Sequence, residues 1–247
     1  MKYFFANWKM YLDLKQSLAF AEDISNLEFD NSKVGVSVFP NQITLCEVSE
    51  KLKGGGIYFG TQNVDWENSG AYSGATSVHM FKEIGCDFAL VGHSERREVF
   101  GETNEDVRRK VEACLGGGII PVLCIGETKE EKDSGKRNEI LMEQLRSALE
   151  GLDKSNTKIM VAYEPIWAIG TGEACEPLEA KEVHLWIKEE YKKYFSNKDV
   201  EILYGGSVDA QNVLSYLSID SISGVLVGSA STKIESFSAI LKIVENL

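Results

Sequence analysis

The chain has 247 residues, of which 43% are hydrophobic and 26% are charged, proportions typical of a globular protein with a sizeable core. Its 38 acidic and 26 basic residues give a net charge of -12, which disfavours nucleic acid and anionic membranes as partners. The longest apolar runs are far shorter than the roughly 20 residues that span a bilayer.

The first residues are too polar for a signal peptide, and the five cysteines are scattered without any C-x-x-C pair. Such cysteines are typical of reduced thiols. We therefore expect a cytoplasmic protein.

Short apolar runs alternate with amphipathic stretches along the chain, which predicts a repeated strand and helix unit. Eight runs are predicted strands: Lys2 to Trp8, Val34 to Phe39, Ile57 to Asn63, Phe88 to Gly92, Ile119 to Ile125, Ile159 to Tyr163, Glu201 to Tyr204 and Gly224 to Val227. Apolar residues spaced three or four apart predict helices over Leu14 to Ile24, Asn104 to Leu115, Arg137 to Leu149, Ala180 to Phe195 and Ile234 to Val244.

The predicted strands are continuously apolar, which indicates a parallel sheet covered by helices on its outer face. Eight such units can close into a barrel or form an open doubly wound sheet. The open sheet usually carries a glycine-rich turn after its first strand, whereas this chain has Asn7-Trp8-Lys9-Met10 there. The sequence therefore favours an α/β fold, a single (β/α)8 barrel of eight parallel strands that occupies residues 1–247 as one domain.

Residues suited to acid-base or ligand chemistry follow the ends of several predicted strands, which share one face in a barrel. These residues are Asn7 and Lys9 after the first strand, His93 and Glu95 after the fourth, Glu127 after the fifth, Glu164 after the sixth, Ser207 after the seventh, and Gly228 with Ser229 after the eighth. We expect them to converge on one site.

Glu164 precedes an apolar segment, Pro165 to Gly172, that has proline at one end and glycines at the other. This composition predicts a mobile lid that excludes water above a carboxylate base. The alternative is a carboxylate that caps the next element, followed by a segment that is simply packed.

His93 leaves the fourth strand where a short helix could start, and a helix N-terminus favours a neutral ring that can hydrogen-bond a carbonyl oxygen. The alternative is a histidine in a polar niche.

Lys9 could bind an anion or be a surface lysine. The turns Tyr204 to Ser207 and Val227 to Ala230 offer backbone N–H groups for a phosphate, or are tight turns only.

Several other chemistries leave no motif in the chain. There is no nucleophile elbow around Ser94, no spacing typical of a metal site and no dinucleotide fingerprint, so we expect neither metal nor cofactor.

The remaining candidates form one set: a carboxylate base, a neutral imidazole, a lysine cation and a phosphate site. Such a set suits proton abstraction next to a carbonyl, with an enediolate intermediate.

Four segments resemble the triosephosphate isomerase family: Asn7 to Met10, Val91 to Arg97, Ala162 to Gly172 and Tyr204 to Val208. The resemblance follows chain order and implies the TIM barrel fold. It also implies interconversion of dihydroxyacetone phosphate and D-glyceraldehyde 3-phosphate, in glycolysis and gluconeogenesis.

The resemblance further implies roles for single residues. Glu164 would transfer the protons and His93 would be the neutral electrophile. Lys9 would bind substrate and balance the enediolate charge, with Asn7 and Glu95 in support. Residues implied for the phosphate are Gly170, Ser207, Gly228 and Ser229.

The lid implied by the resemblance carries Trp167, which would exchange hydrogen bonds with Tyr163 and Glu127 as the lid closes. The segment Gln62 to Gly74 resembles the loop that the family inserts into a neighbouring subunit. In that arrangement Ser73 would approach Lys9 and Asn7 across the interface. The length of this loop and its aromatic residues Trp66 and Tyr72 also favour a loop that a partner subunit covers, so we predict a homodimer. The alternative is a surface loop.

The chain departs from the family at three places. Ser229 stands where glycine is usual and would be strained if its φ were positive. The far hinge of the lid usually begins with lysine in the family, whereas this chain has Glu173-Ala174-Cys175 there. We expect this difference to alter loop kinetics at most. Ala75 stands where many members have a glutamate, leaving Arg96 without that interface partner.

Two rival interpretations stay open at this point. Another phosphate-binding barrel, such as a phosphosugar isomerase or a lyase of biosynthesis, would not be expected to carry the tryptophan-containing lid. A non-catalytic ligand-binding or adhesion role would place no chemical demand on Glu164, His93 and Lys9.

Overall fold

The computed structural model describes residues 1–153, 158–170, 174–195 and 199–247. Its centre is a closed barrel of parallel strands in sequence order. The strands are β1 (Lys2–Asn7), β2 (Val34–Phe39), β3 (Ile57–Thr61), β4 (Phe88–Val91), β5 (Ile120–Ile125), β6 (Met160–Tyr163), β7 (Glu201–Tyr204) and β8 (Gly224–Val227). Pairing of β1 with β8, from Tyr3 opposite Gly224 to Ala6 opposite Val227, closes the barrel and confirms the predicted fold.

The described part of the chain also contains ten α-helices. They are α1 (Leu14–Ser25), α2 (Leu45–Leu52), α3 (Val78–Glu83), α4 (Ser94–Glu98), α5 (Asn104–Gly117), α6 (Lys129–Asp133), α7 (Arg137–Leu149), α8 (Pro177–Tyr194), α9 (Val213–Leu217) and α10 (Ile234–Glu245). None of these helices combines the length and the apolarity needed to cross a membrane.

The five helices predicted from apolar spacing are all present. The fourth of them begins three residues earlier than predicted, because Pro177 occupies the first turn, where its missing N–H costs nothing. The helices α2, α3, α6 and α9 were not predicted, since they are only five to eight residues long and show too few turns for a periodic pattern.

Strand side chains alternate between two apolar layers, which explains why the strands read as continuous apolar runs. In β1, Phe5 points into the barrel and packs on Phe39 and Phe88, with ring centroids 5.5 and 4.8 Å away. Its neighbour Phe4 points outward and packs on Phe237 of α10 at 4.8 Å. The interior of the barrel is therefore filled, and the polar strand ends form the open face above it.

His184 is a fully buried titratable group in the outer layer. Its ring lies edge-on to Tyr163, with centroids 5.9 Å apart, and 6.4 Å from that of Tyr204. Burial lowers the pKa of His184 from 6.5 to about 3. The folded state therefore holds this imidazole neutral at a pH where an unfolded chain would protonate it.

We expect His184→Asn to flatten the pH dependence of stability between pH 3 and 6.5. In this window the unfolded chain binds more protons than the folded one, so the stability of the wild type falls as the pH is lowered. The slope due to one group is at most about 1.4 kcal/mol for each pH unit. Urea unfolding across this window, at fixed protein concentration, measures it.

The matched control for this experiment is His79→Asn, because the side chain of His79 is exposed on α3 and buries little surface on folding. It should leave the pH dependence of the unfolding free energy as in the wild type. Parallel profiles for the wild type and His184→Asn would show that the buried ring does not titrate as inferred.

Candidate active site

A pocket opens at the carboxyl ends of the strands. Glu95 lies beside it, and Glu127, also expected at the site, is not in its lining. The other predicted site residues all are, and the lining is formed by Asn7, Lys9, Tyr11, His93, Glu164, Ile169, Gly170, Gly205, Gly206, Ser207, Val208, Leu226, Gly228, Ser229 and Ala230. Residues far apart in the chain are thus brought to one face by the barrel.

Glu164 is buried directly after β6. Its backbone N–H donates to the Ile125 carbonyl at 2.8 Å, which extends the pairing of β6 with β5 by one residue. The backbone N–H of Ser94 donates to Glu164 Oε2 at 2.9 Å. The other carboxylate oxygen, Oε1, lies 3.3 Å from His93 Nε2. The carboxylate is therefore held by the backbone while one oxygen faces the histidine.

His93 is the N-cap of α4, the short helix that the sequence predicts. The backbone N–H of Glu95 donates to His93 Nδ1 at 3.2 Å, so that nitrogen carries no proton. The proton of the neutral ring therefore lies on Nε2, the atom that faces Glu164 and the pocket. A neutral imidazole in this orientation can donate one hydrogen bond to a ligand oxygen.

Two glycines leave room for Glu164: Gly205, which the sequence analysis assigned only to a phosphate turn, and Gly126, which it did not single out. A Cβ atom on Gly126, just after β5, would overlap the Glu164 carbonyl, and one on Gly205 would lie 2.9 Å from Glu164 Cγ. Close approach of backbone to a side chain requires glycine at such positions. Their place immediately after a predicted strand is the sequence signal that could have identified them.

Lys9 is the one non-glycine residue with positive φ in the described part of the chain, at 48°. Such a conformation costs about 1 to 3 kcal/mol. Asn7 Oδ1 accepts from the Lys9 backbone N–H at 3.0 Å, and Gln62 Nε2 donates to the carbonyls of Lys9 and Phe39, both at 2.9 Å. These bonds fix the backbone of Lys9, a role that the sequence did not reveal for Gln62.

The side chain of Lys9 is oriented by Glu95, whose Oε1 lies 2.7 Å from Nζ. Gly228 lies beside the lysine stem, where a Cβ atom would be 3.4 Å from Cε. The ammonium group is mostly buried, and the carboxylate beside it is half exposed. A cation is therefore held at the edge of the pocket, where it can approach an anionic ligand.

Gly170, Ser207, Gly228 and Ser229 lie together in the pocket lining. Ser229 opens a 3₁₀ turn (Ser229–Thr232) and does not have positive φ, so the condition under which it would be strained is not met. Gly206 packs so closely on the Tyr204 hydroxyl that a Cβ atom there would overlap it. Small residues thus leave backbone N–H groups accessible on this side of the pocket.

The predicted lid is described up to Gly170 and again from Ala174; Thr171, Gly172 and Glu173 lie outside the described residues. Trp167, in a 3₁₀ turn (Ile166–Ala168), donates from Nε1 to Glu127 Oε1 at 2.9 Å. The Tyr163 hydroxyl donates to the same oxygen at 3.0 Å. Glu127 is therefore bonded to both residues that the resemblance associates with it.

Charged side chains from three helices surround Trp167, and the sequence reasoning missed all of them. Lys132 Nζ lies 3.6 Å above the centre of the indole ring, and Arg137 Nε lies 3.2 Å from Glu127 Oε1. Glu179 of α8 pairs with Arg137 and, at 2.8 Å, with Lys132. These residues belong to no motif, since helix packing alone brings them together.

Burial raises the pKa of Glu127, while the hydrogen bond from Trp167 and the charge of Arg137 act in the opposite direction. Arg137 therefore offsets part of the cost of burying this carboxylate.

The predicted interface residues lie in the loop after β3 and, for Arg96, in α4 after β4. Tyr72 is half exposed, whereas Trp66 lies beneath the guanidinium of Arg109 at 5.5 Å. Arg96 pairs with Glu102 at 3.2 Å and lies 4.4 Å above the Phe100 ring, so it has partners in its own chain. Among the described residues, no three His, Cys, Asp or Glu side chains are grouped as a metal would require.

Comparison with known proteins gives one consistent result. The family model described as triosephosphate isomerase matches residues 2–244. The triosephosphate isomerase of Dictyoglomus thermophilum is 41% identical over 242 residues, covering 96% of this chain and 97% of that protein. That of Aquifex aeolicus is 38% identical, covering 96% of each chain, and that of Synechocystis sp. is 41% identical, covering 95% of each.

The matches cover nearly the whole chain, and they point to the same family as the resemblance of the residues around the pocket. The rival phosphate-binding barrels and the non-catalytic roles are not supported by any of them. The chain belongs to the triosephosphate isomerase family and is an isomerase that interconverts dihydroxyacetone phosphate and D-glyceraldehyde 3-phosphate.

Proposed function

We propose that Glu164 is the general base of this reaction and that His93 is its electrophile. The observation that carries the proposal is the 3.3 Å separation of Glu164 Oε1 and His93 Nε2 at the wall of one pocket. A triose bound in the pocket beside both groups places the proton of its α-carbon at the carboxylate and its carbonyl oxygen at the imidazole N–H. Glu164 removes the α-proton, and the carbonyl oxygen becomes an enediolate oxygen that accepts a hydrogen bond from His93. The hydroxyl proton of the α-carbon then passes to that oxygen by way of His93, and Glu164 returns its proton to the former carbonyl carbon.

Lys9 supplies the positive charge that the enediolate and the phosphate require. The chain has a net charge of -12, so long-range attraction of an anionic substrate is not available from the protein as a whole. The nearby ammonium group and backbone N–H groups act over short distances instead. Asn7 and Glu95 hold Lys9, and the phosphate is bound by Gly170, Ser207, Gly228 and Ser229.

Residues 1–247 form one barrel domain in this proposal, because strands from the two ends of the chain pair directly with each other. A cytoplasmic location is supported by the five cysteines, which are all free thiols.

Replacing Glu164 with Gln should lower turnover by about 10²-fold or more, because the amide keeps the size of the side chain and cannot accept the proton. The rate is followed with glyceraldehyde 3-phosphate in an assay that couples dihydroxyacetone phosphate to a dehydrogenase. Glu143→Gln, at an exposed position of α7, is the matched control and should keep full activity. A Glu164→Gln enzyme with a tenth of wild-type turnover would rule out this base.

Replacing Glu127 with Gln should mainly weaken closure of the lid. The amide keeps the shape of the acceptor but loses the charge that binds Trp167 and Arg137. We expect a lower kcat/KM and a weaker affinity for 2-phosphoglycolate, an anion that resembles the enediolate. Unchanged turnover together with unchanged inhibitor affinity would contradict the role of Glu127, and Glu143→Gln again serves as the control.

A homodimer is supported by exposed apolar side chains on loops after four consecutive strands. These side chains are Met10, Tyr11, Ile43, Tyr72, Val99 and Phe100. The loop from Gln62 to Gly74 would insert among them in the partner, bringing Ser73 towards the partner's Lys9. This arrangement would cover apolar surface that a monomer leaves in water.

Light scattering at micromolar concentration should therefore give twice the 27.4 kDa mass of the chain. An active enzyme with the mass of a single chain at that concentration would refute the dimer.

A further inference from the structure

Tyr216 of α9 connects two segments that line the pocket, and neither the sequence motifs nor the proposed mechanism uses it. Its hydroxyl donates to the Cys175 carbonyl at 2.6 Å. Its ring stacks on that of Tyr204, with centroids 4.1 Å apart and planes 19° from parallel. Tyr216 is fully buried, so this position is fixed by packing on all sides.

Cys175 belongs to the segment that leads from Glu164 to α8. It is fully buried, whereas its neighbours Ala174 and Glu176 are exposed. The chain therefore turns inward at this one residue before α8 begins. The bond from Tyr216 holds its main chain there, and Gly170 of the same segment lines the pocket.

Tyr204 ends β7 and begins the turn that supplies Gly205, Gly206 and Ser207 to the pocket. Because Gly206 packs directly on the Tyr204 hydroxyl, the position of this ring determines the position of the turn. The stacked Tyr216 ring in turn packs against one face of Tyr204.

We propose that Tyr216 is a positioning residue that fixes the segment containing Gly170 and Cys175 relative to the turn containing Ser207. The inference rests on the proposed role of Gly170 and Ser207 in holding the phosphate. Hydrogen bonds to a phosphate weaken when donor and acceptor move apart by a few tenths of an ångström. Two segments that share one phosphate must therefore keep a constant separation. Tyr216 contacts Cys175 in the first segment and Tyr204 at the start of the second.

The proposal separates phosphate binding from proton transfer. Glu164 is held by Ser94 and by the pairing with β5, and His93 by the start of α4, so neither depends on the Tyr216 hydroxyl. Loss of that hydroxyl leaves the Cys175 carbonyl without this bond and frees the end of the segment. The cost should appear only in ligands that carry a phosphate.

The test is Tyr216→Phe, which removes the hydroxyl and keeps the stacked ring. We expect the KM for glyceraldehyde 3-phosphate and the inhibition constant of 2-phosphoglycolate each to rise about three- to tenfold, the range for one lost hydrogen bond. The slow isomerisation of glyceraldehyde, which has no phosphate, should keep its kcat/KM within twofold. Proton NMR in D₂O follows that reaction.

Tyr191→Phe is the matched control. Tyr191 is a buried tyrosine on α8 whose ring packs on Phe195 at 4.8 Å, and it does not line the pocket. Loss of its hydroxyl should leave the KM for glyceraldehyde 3-phosphate and the inhibition constant of 2-phosphoglycolate unchanged.

Circular dichroism and thermal unfolding show whether each variant is folded. Tyr216→Leu removes the stacked ring as well as the hydroxyl, and should show the same split between the two substrates with a larger rise in both constants.

A folded Tyr216→Phe enzyme with KM and inhibition constant within twofold of the wild type would overturn the inference. So would an equal loss of activity with glyceraldehyde, because the base itself would then have moved. A wild-type enzyme that isomerises glyceraldehyde as efficiently as glyceraldehyde 3-phosphate would instead refute the proposed phosphate site, so the two failures are distinguishable.

Discussion

Pairing of β8 with β1 is the constraint on which the site depends. An open sheet of the same strands would leave Lys9, after β1, at a distance from Gly228 and Ser229, after β8. In the closed barrel Gly228 lies against the stem of Lys9, so the first and last units of the chain complete one pocket. The rings of Phe5 and Phe88 fill the barrel beneath it, which leaves the polar strand ends as the one open face.

In the closed barrel, Glu164 and His93 are held by backbone groups more than by each other. The N–H of Ser94 binds Glu164, and the N–H of Glu95 sets the tautomer of His93. Both N–H groups come from the first turn of α4, so one short helix orients the proposed base and the proposed electrophile together. Preorganised groups of this kind need no rearrangement when charge develops on the substrate, which is the main source of electrostatic catalysis.

The sequence predicted what depends on local pattern and on chain order. Strand ends came within two residues of those observed, and the residues after them converged as expected because barrel geometry allows little else. Gln62, Arg137 and Tyr216 could not be predicted in this way. Each acts through a contact with a residue distant in the chain, and no periodicity records such a contact. The φ of Ser229 could not be predicted for a related reason: it is set by the turn that Ser229 opens and not by residue type, and it is not positive.

The lid shows how such distant contacts shape function. Its start is held through Trp167 by a carboxylate whose burial is offset by Arg137, while its end is held through Cys175 by a neutral hydroxyl. Protonation of Glu127 would remove the charge that binds Arg137 and strengthens the bond from Trp167, whereas the bond from the Tyr216 hydroxyl involves no such charge. The two ends therefore differ in their response to acid, and the end near Trp167 is the one that acid loosens first.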